Sequence, residues 1–349
     1  MPILSNNSKK GPVYFAFSVL LSAFLVWYLL SEIKVGDILQ TFKNLWPITL
    51  FLYFFLAICG VFSRTYRYYI LIPPNQIKFK NLVLVTLIRN LFVDLIPARI
   101  GSLSYVYLLN KRFGFPFEVA ASTFLISFVF DFVVIFPMFL FAIILVGVNA
   151  FPVASFPFVA ISIVLLFTLV ILLVYLDRLV KTLADILTWC LKKLRMENNL
   201  KLKNLVTKVL LTAKDITTIR DRKIYGKVLL SSLAVRVFKY SSLYFLLHSV
   251  LVHLKFEMAD LNFWKVFLGI LGAEFSALLP IHGVAGLGTW EGAWVLTFKL
   301  LGFFDPKVAV VSGFSVHIIT QLFEYSLGIL SMVILYLPGN RIIRGKISS

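Results

Sequence analysis

Charge is scarce in this chain. Only 14% of its 349 residues are Asp, Glu, Lys or Arg, 60% are apolar, and mean hydropathy is +0.93. A soluble domain of this length must cover its surface with polar groups, so the scarcity excludes one. Cysteine is nearly absent. Cys59 lies in an apolar run and Cys190 in a basic one, and no disulfide between them is expected. The four histidines, His248, His253, His282 and His317, lack HExxH-type spacing, so neither a metal site nor a cofactor is expected. There is no G-x-S-x-G element and no Asp-rich DDxxD run. Gly286-x-Gly288 sits in an apolar segment with no βαβ context, which excludes a dinucleotide site. These absences argue against an enzyme.

What the chain does have is long apolar runs. Val13–Leu30, Trp46–Ser63, Val119–Val148, Pro152–Leu176, Val228–Val252 and Val308–Leu337 can each cross a hydrocarbon layer; about 20 residues suffice for ~30 Å. No small-residue cleavage pattern follows the first run, which is therefore read as a retained helix. The net charge of +18 is unevenly placed. Of 34 Lys and Arg residues, 13 fall between Asp177 and Lys227, against five acids. Arg64, Arg67, Lys78 and Lys80 share a stretch with no acid, and Arg341, Arg344 and Lys346 mark the tail. Residues 31–45 and 253–265 are balanced, with two Lys and two acids each. This is a positive-inside bias, and nucleic acid is not an expected partner.

The bias predicts an all-α polytopic protein of the cytoplasmic membrane, one integral-membrane domain over residues 1–349 with both termini cytoplasmic. The segment 82–110 starts and ends at basic residues and breaks at Pro97 and Gly101; it reads as a re-entrant hairpin. The segment 263–302 breaks at Pro280, Gly283, Gly286 and Gly288 and reads as a second hairpin, entering from outside. Six full spans plus two hairpins result. Residues 177–227 form a basic cytoplasmic loop that opens with an amphipathic helix: Leu179, Leu183, Ile186, Leu187, Cys190, Leu191 and Leu194 share a face. The hairpins also resemble each other. Leu95-Ile96-Pro97, Phe113-Gly114-Phe115 and Asp131 have counterparts in Leu278-Leu279-Pro280, Leu301-Gly302-Phe303 and Glu324. Opposite entry makes this an expected inverted-topology repeat, a design that places substrate near the midplane.

Ten charges fall inside apolar segments: Arg89, Asp94, Arg99, Asp131, Arg236, Lys239, Glu274, Glu291, Lys299 and Glu324. Each would cost about 2.5–3.5 kcal/mol facing lipid at mid-span, so mutual pairing around a cavity is expected. Helical spacing agrees. Asn90 and Asp94, then Thr123, Ser127 and Asp131, then Arg236, Lys239 and Tyr240, then His317, Gln321 and Glu324 each line one helix face. A purely structural role, as ion pairs locking helices, competes with ligand binding for any one pair.

The run Asp94-Leu95-Ile96-Pro97-Ala98-Arg99-Ile100-Gly101 resembles the P-x-R-x-G-type segment of the lysylphosphatidylglycerol synthase transmembrane, or flippase-like, family. Pro280 with Gly286-Leu287-Gly288-Thr289-Trp290-Glu291 is similar to that family's P…G-x-G-x-x-E segment. Asp94 stands where Asn is common, and Trp290 where a basic residue is frequent. The resemblance implies lipid translocation, and with Ser349 as the last residue no fused synthase domain is expected. Arg99 beside the first break suits a phosphate, since guanidinium bonds it bidentately. Gly286 and Gly288 would admit a headgroup to the backbone. The candidate substrate-binding residues are then Arg89, Asn90, Asp94, Arg99, Asp131, Arg236, Lys239, Gly286, Gly288, Glu291, Gln321 and Glu324. The expected partners are membrane lipids, with anionic headgroups at the basic loop; a second copy of the chain or a cytosolic enzyme also fits. The alternative functions are a scaffold recruiting a lipid-modifying enzyme, or an embedded transferase.

The charge bias carries a test. Single cysteines placed in residues 177–227 should react with an impermeant thiol reagent only from the cytoplasmic side. Reaction from the opposite side would sink the topology.

Overall fold

A computed structural model describes residues 20, 23–31, 35–146, 156–194, 196, 199–276 and 284–337. All regular structure among them is helical. A helix across residues 23–30 precedes α1 (Val35–Lys43). Pro47 opens α2 (Pro47–Leu71), whose missing N–H costs nothing in a first turn. The helix stops where Pro73 and Pro74 follow. Next come α3 (Phe79–Leu95), a 3-10 turn (Pro97–Leu103), α4 (Ser104–Phe113) and α5 (Phe117–Val146). Ile96 is extended because Pro97 follows it, and this ends α3. Gly114 closes α4 in the left-handed region, φ 72°. The chain continues through α6 (Phe156–Val174), α7 (Leu176–Lys193), α8 (Leu200–Asp221) and α9 (Tyr225–Leu251). Last are α10 (Phe263–Ser276), a 3-10 turn (Val284–Gly286), α11 (Thr289–Leu300) and α12 (Pro306–Tyr336).

Four of these helices, α2, α5, α9 and α12, are long and apolar enough to cross a membrane. Residues 163–174 of α6 join α7 at a 74° bend and can supply a fifth crossing. The sixth expected run, Val13–Leu30, lies largely outside the described residues, as do both termini.

Hydrogen bonds fix which helix ends lie together. Arg222, just past α8, donates to the Ile70 and Leu71 carbonyls at the end of α2, at 2.8 and 2.9 Å. Ser122, in the second turn of α5, donates to Asp215 of α8. Arg220 reaches the Val174 carbonyl at the end of α6, and Arg112 of α4 the Leu335 carbonyl of α12. One end of the bundle therefore gathers the last turns of α2, α4, α6 and α12, the first turns of α5 and α9, and the basic α7–α8 hairpin. At the opposite end the Trp46 N–H donates to the Ser249 carbonyl, and Lys307 pairs with Asp37 at 3.3 Å. The predicted amphipathic helix is α7, with Leu179, Leu183, Ile186 and Trp189 exposed on it.

One expectation is corrected here. The second span was placed at Trp46–Ser63 with Arg64 beginning a loop, yet α2 runs on for two more turns. Nothing from Arg64 to Leu71 breaks a helix, and both arginines find partners inside the bundle (below).

The first break is tight. A Cβ on Gly101 would stand 1.7 Å from the Phe92 carbonyl oxygen, a backbone atom that cannot swing aside. Gly101→Ala should therefore lose about 1–3 kcal/mol or more, the usual result of overpacking. Gly36, with nothing within 4 Å of its built Cβ, is the control. Thermal unfolding in detergent should show Gly101→Ala melting well below wild type and Gly36→Ala with it; equal melting of both variants would refute the close approach.

Candidate functional site

Inside the bundle is a cavity of about 200 Å³, walled by α2, α3, α5, α9, α10, α12 and the turn before α11. Asp131 of α5 stands at its back. Arg67 of α2 grips both carboxylate oxygens, Nη1 to Oδ1 at 2.8 Å and Nη2 to Oδ2 at 3.3 Å. Arg236 of α9 adds a third contact, Nη2 to Oδ1 at 3.2 Å. Arg67 is 1% exposed and also donates to Ser232 Oγ at 3.0 Å. Charges taken this far from water persist only with such geometry.

Arg64, one turn before Arg67, turns to the cavity instead. Its Nη1 donates to Asn90 Oδ1 at 2.7 Å, and Arg89 Nη1 donates to the same oxygen at 3.3 Å. Two cations thus share one neutral acceptor. The Nε atoms of Arg64, Arg89 and Arg236 are buried and make no hydrogen bond among the described residues. Elsewhere on the wall, Lys239 Nζ meets Glu274 Oε1 at 2.6 Å, and Tyr240 donates to Glu274 Oε2 at 3.3 Å. Asp94 of α3 and Glu324 of α12 bring their carboxyls together on the same wall.

The second break has a hydrogen-bond chain of its own. Glu291, fully buried in the first turn of α11, accepts from the Gly288 N–H at 2.7 Å and from His317 Nδ1 at 2.6 Å. Gln321 donates through its amide nitrogen to the Ala285 carbonyl and to His317 Nε2, at 2.8 Å. The Ala285 carbonyl can only accept, so it fixes the Gln321 amide. Gln321 then requires a bare Nε2, which makes His317 a neutral imidazole carrying its proton on Nδ1. Trp290 stacks on His317 with centroids 4.6 Å apart. Ala285, Gly286 and Gly288 all have positive φ, at 53°, 77° and 82°. For Ala285 that conformation costs on the order of 1–3 kcal/mol, and the Gln321 bond holds it.

Of the residues expected to bind substrate, Arg89, Asn90, Asp94, Asp131, Arg236, Lys239, Gly286, Gln321 and Glu324 line this one cavity. Glu291 and Gly288 lie behind it and shape its wall through His317. The Arg99 side chain and residues 277–283, with Pro280 and Gly283, lie outside the described residues. Lys299 belongs elsewhere, exposed at the end of α11. Arg64, Arg67 and the His317–Glu291 contact were not expected from sequence. The available signal for the arginines was the absence of any breaker before Pro73, with Arg64 and Arg67 spaced to share a helix face.

A multi-pass helical membrane protein, with a cavity of charged groups inside its bundle, is the class these features define. The family model described as the lysylphosphatidylglycerol synthase TM region matches residues 15–328, and the chain belongs to that family. Its function is accordingly one connected with membrane lipids. Neither a curated protein nor a solved structure matches the chain.

Removing the carboxylate at the back of the cavity leaves two guanidiniums facing a neutral amide. Asp131→Asn should cost about 3–5 kcal/mol. Glu324→Gln, beside Asp94 on the cavity wall, keeps a hydrogen-bond donor toward that carboxyl and should melt within a few degrees of wild type. Thermal unfolding of both in one detergent is the check, and an Asp131→Asn protein as stable as wild type would disprove the structural role.

Proposed function

We propose that this protein moves a phosphate-bearing lipid across the cytoplasmic membrane, its headgroup passing through the charged cavity, with no chemistry done on the lipid. One observation carries the reading: Arg64 and Arg89, both on the cavity wall, converge on the single oxygen of Asn90, and their buried Nε–H groups find no acceptor among the described residues. Two cations sharing a neutral acceptor form a local excess of positive charge, and guanidinium donors match phosphate oxygens. Arg99, assigned from its motif alone, is a third phosphate ligand in this proposal.

Chain direction supports an inverted repeat. The order long helix, broken hairpin, long helix occurs over residues 47–146 and again over 225–336. α2 runs toward the basic end and α9 away from it, while α5 runs away and α12 toward. The α3–α4 hairpin begins and finishes at the basic end, and α10–α11 lies between the opposite ends of α9 and α12. Both are then re-entrant, one from each side, and their breaks meet at the cavity. Positive-inside bias puts the basic end in the cytoplasm.

The test is reconstitution in liposomes at matched folded yield, following a headgroup-labelled acidic phospholipid with an impermeant quencher. Wild type should expose the inner-leaflet label. Arg64→Gln and Arg89→Gln should each slow transport about tenfold or more, the loss of one charge-assisted bond at roughly 1.5–3 kcal/mol. Lysine at either position should fall between, and Arg99→Ala should also be slow. Normal rates in all three neutral variants would mean that headgroups take another path. Inactivity of pure wild-type protein would favour the scaffold.

A further inference from the structure

A second concavity lies on the outside of the bundle, lined by residues other than those of the cavity. Between α2, the start of α3 and the start of α9 runs an open groove of about 490 Å³. Its floor and sides are Phe62, Tyr66, Phe79 and Leu230, and its one charge is Lys227. Phe62 and Phe79 lie nearly parallel, 6.3 Å apart and 9° between planes. Among the described residues no acid pairs with Lys227. Ser63 and Ser231 donate to carbonyls of their own helices, leaving their lone pairs toward the groove as acceptors only.

Depth identifies the occupant. Lys227 is in the first turn of α9, at the end of the bundle where Arg112, Arg220 and Arg222 also lie. Ala234, the far end of the groove, is seven residues further in, about 10 Å at 1.5 Å per residue. The groove thus starts at headgroup level and descends into hydrocarbon. Phe62, Tyr66 and Leu230 are 48%, 47% and 69% exposed there, at hydrocarbon depth. We propose that it is a binding site for one membrane phospholipid of acidic headgroup, its phosphate on Lys227 and the upper part of an acyl chain against Phe62, Tyr66 and Leu230. A zwitterionic lipid would fill the apolar part equally well but would set its ammonium against the unpaired lysine.

The experiment uses the full chain in nanodiscs of mixed phosphatidylglycerol and phosphatidylcholine. Trace amounts of each lipid carry the same diazirine on an acyl chain, and labelled peptides are mapped after irradiation. The acidic probe should mark residues 62–66 and 230–234 about fivefold more than the neutral one, the preference expected of one lysine near the surface. Lys227→Gln, an exposed change that leaves packing alone, should abolish the preference. Arg64→Gln should leave it intact, whatever it does to transport. Equal marking by both probes, no enrichment over the outward faces of α5 and α6, or an unchanged preference in Lys227→Gln would each overturn the site.

Discussion

The arrangement of this bundle depends on the Asp131 carboxylate and the two arginines that hold it. Burying one carboxylate and two guanidiniums is costly unless every charge meets a partner in good geometry. Here Arg67 supplies a two-pronged contact, Arg236 a third, and Ser232 takes a further Arg67 N–H. These groups come from α2, α5 and α9, so the interaction ties the first half of the chain to the second. It also sets helix rotation. With Arg67 turned inward, Arg64 three residues earlier must face the cavity; with Arg236 turned inward, Lys239 and Tyr240 must face Glu274.

Much of this was legible before any coordinates. Helices were visible because lipid-facing segments are apolar over their whole length, and a charge inside such a segment marks an interior face. That logic found Asp131, Arg236, Lys239 and Glu324 from spacing alone. It failed at Arg64 and Arg67, because a basic residue at the end of an apolar run satisfies the topogenic rule equally well. Only a partner distant in sequence separates the two cases, and Asp131 lies 64 residues beyond Arg67. The His317–Glu291 contact was invisible for the same reason. Glu291 was noticed as a charge, whereas its cap on Gly288 and the positive φ of Ala285 exist only once α11 and α12 have packed.

The second break shows how a helix interruption is kept intact without water. A backbone that leaves the helix exposes N–H and C=O groups, and in a membrane each must be satisfied by protein. Glu291 takes the Gly288 N–H and Gln321 takes the Ala285 carbonyl, so two side chains from α11 and α12 complete the turn. Trp290 lies flat on His317, and both rings line the cavity beside Gln321 and Ala285. At the second break the cavity therefore meets two stacked rings and an amide, whereas Arg64 and Arg89 meet at Asn90 on α3, the first hairpin's own helix.

That asymmetry bears on how a headgroup could enter and still leave. The wall carries four basic groups, Arg64, Arg89, Arg236 and Lys239, and four acidic ones, Asp94, Asp131, Glu274 and Glu324. With the signs matched in number along the wall, net charge alone would not set how an anion is held on the proposed reading. Attraction must instead come from local imbalance. Asp131 is committed to Arg67 and Arg236, and Glu274 to Lys239, while among the described residues Arg64 and Arg89 share Asn90 as their side-chain hydrogen-bond acceptor. Asp94 and Glu324 bring their carboxyls together elsewhere on the wall and offer a phosphate no cation. An anion is thus drawn to one side of the cavity and discouraged from the other. On the proposed transport reading, such a site would orient a headgroup while keeping its affinity low enough for passage.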